Sequence, residues 1–206
     1  MGKQYVQFGC GLCAPEGWLN FDASPRLRVE KNPIIGRFLR HPIFPKNCKY
    51  GDIVKGLPLK PGTCDVLYSS HVLEHLSLDD CRLSLSKAFI LLKQGGVFRA
   101  VVPDLEMAAR TYLASERDDR ALDFLKSTLL GKEKRIRTIK GWLHEAIGNS
   151  NHLWLWDFKG LAAELKRAGF IDIRKAVYGD TNDEMIARVE DETRWSNALG
   201  VDCLKP

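Results

Sequence analysis

Short apolar runs separated by turn residues recur along the first half of the chain. Tyr5–Phe8, Trp18–Asp22, Cys48–Gly51, Asp65–Ser69 and Val97–Val102 each read as a strand. Between the last two, Leu83, Leu85, Ala88, Leu91 and Leu92 fall on one helical face. Asp79 and Asp80 stand at its cap and first turn, and Gly95-Gly96 is its expected stop. Strand, helix and strand at this pitch predict a parallel sheet with crossover helices.

The stretch from Asp104 to Asp157 is longer than one crossover needs. One helical pattern runs from about Leu105 to Leu113, and another puts Ile136, Ile139, Leu143 and Ile147 on one face. Phe158–Ala168 then reads as an amphipathic helix ended by Gly169. Ile171–Tyr178 and Leu199–Leu204 read as two final strands whose polar connector lets them pair antiparallel. No internal repeat interrupts this order, so residues 1–206 read as one domain, with 104–156 as an insertion.

Composition narrows the class. A chain of 206 residues with 45% hydrophobic and 28% charged positions can bury a core without disulfides or metal. The longest apolar run, Ala88–Leu92, is far below the ~20 residues of a spanning helix. The opening MGKQYVQFGCG has no long apolar region, and Val6 stands where a myristoylation signal needs Ser or Thr. The expectation is a cytoplasmic protein whose six cysteines are reduced thiols. A net charge of +5 weakly favours an anionic partner. Nucleic acid is disfavoured, because aromatic residues do not interleave with the basic run Lys132, Lys134, Arg135, Arg137 and Lys140.

Candidate chemistry begins where the first strand runs into Gly9-Cys10-Gly11. Glycines at that strand end let a ligand approach the backbone closely. Asp22 ends the next strand and can accept both hydroxyls of a ribose. There is no third glycine, and LCAPEGW leaves little room for a phosphate-binding helix, so a nucleoside without phosphates fits better than a dinucleotide. Asp52, at the end of the third strand, can accept from an adenine amino group.

These residues resemble the class I S-adenosylmethionine-dependent methyltransferases, in particular small members with FGCG…GWLNFDASP and CDVLYSSHVLEHL. The likeness continues through LLKQGGVFRAVVPDLE, NHLWLWDFKGLAAELKRAGF and NALGVDCLKP. It implies an α/β fold, a Rossmann-like, doubly wound, seven-stranded, mostly parallel sheet with an antiparallel last strand and a helical insertion after strand 5. It implies methyl transfer from S-adenosylmethionine, leaving S-adenosylhomocysteine. It assigns Gly9, Cys10 and Gly11 to cofactor approach, Asp22 with Ala23 to the ribose, Asp52 and Ile53 to adenine, and Ser70 and His71 to the methionine side.

Other classes compete for the same residues. His71-x-x-Glu74-His75 matches a zinc hydrolase pattern, but it follows a buried strand before the helix begins, so no metal is expected. Cys10-x-x-Cys13 lacks the helix that would stabilise a redox thiolate. A non-catalytic module that binds the nucleoside or S-adenosylmethionine is the remaining alternative. For catalysis, His152 and His71 are the candidate bases, with Tyr112, Trp142, Trp154 and Trp156 as a candidate acceptor wall. The acceptor is expected to be a small molecule, a sugar or a lipid-linked glycan, with an acidic group as one option. The acceptor atom and the oligomeric state are not legible in the sequence.

Overall fold

Seven strands form: β1 (Tyr5–Phe8), β2 (Trp18–Asp22), β3 (Cys48–Tyr50), β4 (Cys64–Ser70), β5 (Leu92–Pro103), β6 (Ile171–Ala176) and β7 (Ala198–Leu204). The computed structural model describes residues 2–38, 41–132 and 151–206. Within these the strands make one sheet in the order β3-β2-β1-β4-β5-β7-β6. The pairs from β3 through β5 are parallel, and β7 is antiparallel to both its neighbours. This is the expected seven-stranded α/β sheet with a reversed last strand.

The helices are α1 (Pro25–Glu30), α2 (Leu78–Leu91), α3 (Leu105–Ala114), α4 (Arg120–Ser127), α5 (Phe158–Arg167), α6 (Glu184–Ala187) and α7 (Glu192–Trp195). The helical pattern through Ile136, Ile139, Leu143 and Ile147 lies outside the described residues.

The period of two along each strand divides the side chains between two faces. Phe8, Leu67, Phe98, Ala100 and Val102 pack on one face against Leu85 and Ala88 of α2 and Leu161 and Leu165 of α5. Each fully buried leucine contributes roughly 1.5–3 kcal/mol. Tyr5, Trp18, Val66, Tyr68 and Val101 lie on the other face, covered by Ile186 and Val189.

One boundary differs from expectation. Helix α2 is capped by Ser77, whose Oγ accepts the Asp80 N–H at 3.2 Å. It ends when Leu92 turns extended at ψ 145°. Gly95-Gly96 therefore lies inside β5, with Gly95 at φ 71°, and does not stop the helix.

The second face is held by long-range polar contacts. Tyr5 Oη donates to Asp183 at 2.9 Å, and Trp18 Nε1 donates to the Met185 carbonyl at 2.9 Å. The Arg99 guanidinium is wholly buried, with Glu190 at 2.6 Å, Asp202 at 2.9 Å and Asp180 at 2.8 Å. Burial alone would lower its pKa; Asp202 and Glu190 more than offset this. The guanidinium also lies over the Trp195 ring at 4.9 Å. These contacts bring α7 back to the carboxyl ends of the central strands.

Candidate active site

The loop after β1 carries no helix, and side chains from the sheet hold it instead. Gln7 Nε2 donates to the Cys13 carbonyl at 2.8 Å, and Asn20 Nδ2 donates to the Pro15 carbonyl at 3.2 Å. Both side chains are buried, so these bonds satisfy amides as well as fixing the loop. Gly9 sits at φ 68°, and a Cβ there would overlap Val72 Cγ2. Gly11, at φ 53°, would meet only the Arg194 guanidinium, at 3.7 Å.

Asp22 braces the same loop. One carboxylate oxygen accepts the Gly11 N–H at 2.9 Å, and the other accepts the Ser24 N–H at 2.7 Å. Each oxygen keeps a further lone pair for a ligand.

These residues line a cleft of about 780 Å³ at the carboxyl edge of the sheet. Gly9, Gly11, Asp22 and Ala23 form one side, Gly51 to Val54 form another, and His71, Val72, His75 and Leu76 form a third. Thr193 and Arg194 close the end. The volume falls in the range of small-molecule and cofactor sites. Ile53 is buried. Asp52 Oδ1 accepts the Val54 N–H at 3.0 Å, and its other oxygen lies 3.4 Å from Lys55 Nζ.

Two expected cofactor residues do not line the cleft. Cys10 is buried and turned to Cys48, with the sulfurs 3.1 Å apart. Ser70 is also buried, and its backbone carbonyl accepts from Arg194 at 3.3 Å. Ser70 ends β4, where strand alternation turns its side chain away from the cleft, whereas Cys10 lies in the loop beyond β1 and packs with Leu27 and Cys48. Arg194, Thr193 and His75 line the cleft without having been singled out for it. Only the fold reveals Arg194, which arrives on a short helix from the far end of the chain.

His71 lies in the cleft at φ 55°, an uncommon conformation outside glycine. Its Nδ1 is 3.1 Å from Glu74 Oε1 and its Nε2 is 2.8 Å from the Arg194 carbonyl. The carbonyl only accepts, so Nε2 carries a proton, while Nδ1 is held against the Glu74 carboxyl. Burial lowers its pKa, but Glu74 and the Arg194 carbonyl raise it further, leaving the net value above the ordinary one. Both ring nitrogens are thus engaged within the protein, and neither is left unpartnered toward an acceptor.

His152 is nearly buried beside Glu74 and His75, and does not line the cleft. Trp156 is in the core, and Trp154 is partly exposed with its ring 6.0 Å from that of Trp156. Neither lines the cofactor cleft or the cavity between α3 and α4. Trp142 lies outside the described residues, as do Lys134, Arg135, Arg137 and Lys140 of the basic run. Tyr112 and Phe124 line a second cavity of about 400 Å³ between α3 and α4, with Arg117 and Arg120 at its rim.

The sheet is mostly parallel with one reversed strand, and the nucleoside-sized cleft lies at its carboxyl edge. Residues 7–100 match the model of the methyltransferase domain family. That match, over just under half of the chain, together with the fold supports S-adenosylmethionine-dependent methyl transfer with S-adenosylmethionine as the cofactor.

Solved structures share the fold. A Thermotoga maritima S-adenosylmethionine-dependent methyltransferase, described as a possible histamine N-methyltransferase, aligns at TM-score 0.54 and 15% identity over 100% of this chain and 83% of its own. A putative methyltransferase in complex with the Haloferax volcanii Trm112 activator aligns at 0.51 and 16%, over 100% and 83%. The Haemonchus contortus phosphoethanolamine N-methyltransferase 2, in complex with phosphomonomethylethanolamine and S-adenosylhomocysteine, aligns at 0.51 and 12%, over 100% and 49%. At these identities the likeness is one of fold. A search of the curated proteins gave no match.

Proposed function

We propose that the cleft holds the cofactor with its ribose on Asp22, its adenine beside Asp52 and Ile53, and its methionine end near His71 and Arg194. Support comes from the free lone pairs of Asp22 and from the Arg194 guanidinium, which lines the same cleft beside Gly11. When bound, S-adenosylmethionine supplies a methyl group on a sulfonium. The chain's own part is to hold the acceptor in line, exclude water and keep the site's charges fixed. The His71 ring does this by linking the Arg194 carbonyl to Glu74.

In this reading the chain acts as one domain over 1–206, and the 104–156 insertion sets acceptor choice. The acceptor is a small molecule, a sugar or a lipid-linked glycan. An acidic group on it fits the Arg117 and Arg120 rim beside Tyr112 and Phe124. The phosphomonomethylethanolamine held by the nematode enzyme is an example of that chemistry. No helix among the described residues is long and apolar enough to cross a membrane, and the free thiols fit a reducing cytoplasm.

The carrying observation is the acidic strand end facing a cleft of nucleoside size. Titration calorimetry tests it: S-adenosylhomocysteine is expected to bind and NAD is not. NAD binding without either adenosyl ligand would overturn the assignment.

A further inference from the structure

Glu74 and His75 lie in the single 3-10 turn Leu73–His75 after β4. His152 reaches them from the far end of the insertion. One ligand atom from each of the three residues lies within 4.8 Å of the other two. His152 Nε2 is 4.0 Å from Glu74 Oε1, and the His75 and His152 rings stand edge to face with centroids 4.9 Å apart. The backbone fixes this approach. The Leu153 and Trp154 N–H groups both donate to the Glu74 carbonyl, at 2.7 and 3.1 Å.

The donors are in the state a metal requires. His75 Nδ1 lies 3.1 Å from the Asn151 carbonyl. A carbonyl only accepts, so Nδ1 carries the proton and the Nε2 lone pair is free. Ligating histidines are commonly held through such a bond. Glu74 is wholly buried, and its Oε2 has no hydrogen-bond partner among the described residues. A buried carboxylate oxygen left without a partner is costly.

We propose that Glu74, His75 and His152 bind one divalent transition-metal ion of the zinc class at the edge of the cofactor cleft. Two neutral imidazoles and a carboxylate suit zinc and leave a fourth coordination position. Tetrahedral zinc spaces its ligand atoms about 3–3.5 Å apart, so the side chains need close by only about an ångström. His75 lines the cleft, so the ion would border the site where the methyl group is held. That placement rests on the methyl-transfer reading. The sequence pattern suggested His71 with His75 as a ligand pair, but both His71 nitrogens are engaged and His152 takes its place.

The test is titration of Zn²⁺ into the chelator-treated full chain, with metal content measured after gel filtration. One zinc per chain is expected. His152→Ala and His75→Ala should each weaken binding by at least about tenfold, and His41→Ala, at an exposed position outside the cluster, should leave it unchanged. Co²⁺ in place of zinc should give visible bands without thiolate-to-metal charge transfer. This spectrum of the wild type decides the matter even where a variant fails to fold. No retained ion, equal retention in His152→Ala, or a thiolate band pointing to the cysteines would each overturn the site. S-adenosylhomocysteine affinity, measured on the same samples, should stay within a few-fold in His152→Ala. Failure of the wild type to bind that ligand would overturn the methyl-transfer reading and leave the zinc result standing.

Discussion

Asp22 is a turn residue and also the proposed ribose acceptor. Its oxygens hold the Gly11 and Ser24 N–H groups, and the lone pairs left over face the cleft. Asp22→Ala should therefore lower the melting temperature and weaken S-adenosylhomocysteine together. Hydrogen bonds to a charged group contribute about 1.5–3 kcal/mol each, of which water restores part. A net loss of about 2–4 kcal/mol corresponds to roughly 30- to 1,000-fold in affinity. Asp22→Asn should be intermediate. An alanine variant that melts early but binds like wild type would leave Asp22 with the turn alone. Gly9, Gly11 and Asp22 were legible because strand ends and glycines are local signals. Cys10 and Ser70 were misplaced because a motif names neighbours without saying which way each side chain turns.

Between elements, α2 and α5 are joined by a fork. Arg82 donates to Glu164 through two nitrogens, at 2.9 and 3.0 Å. The Arg82 hydrogen bonds hold the Glu164 carboxyl below its ordinary value, with burial opposing. A depressed folded value means the pair stabilises above the ordinary carboxyl range. That contribution is lost as pH falls through the folded value. Glu164→Gln should thus melt below wild type at pH 7, and the gap should close as the pH is taken below the glutamate range. A gap constant with pH would assign the loss to packing. The helix itself was legible from its leucine spacing. Its end was not, because Leu92 leaves the helix directly into β5, and the glycines that looked like a stop serve the strand.

Across the whole molecule, the Arg99 cluster couples sheet stability to the cleft. Its guanidinium joins β5 to Asp202 of β7 and to Asp180 and Glu190. The segment beyond Glu190 carries Arg194. Removing one partner of a buried ion cluster costs about 3–5 kcal/mol. Arg99→Met should show that loss in denaturant unfolding and should also weaken S-adenosylhomocysteine, because α7 loses its anchor. A destabilised variant with unchanged affinity would show that Arg194 is placed without the cluster.

The sequence by itself determined the strands, α2, α3, α5, the reversed final pair and the cofactor loop. Each of these is written in spacing within a few residues, where side-chain period and turn chemistry act directly. Only the tertiary structure decided that Arg194 lines the cleft, that His71 is held between Glu74 and a carbonyl, and that His152 stands against Glu74 and His75. Those contacts join residues far apart in the chain. They depend on how loops pack back over the sheet, through bonds such as Leu153 and Trp154 to the Glu74 carbonyl, which no local pattern encodes.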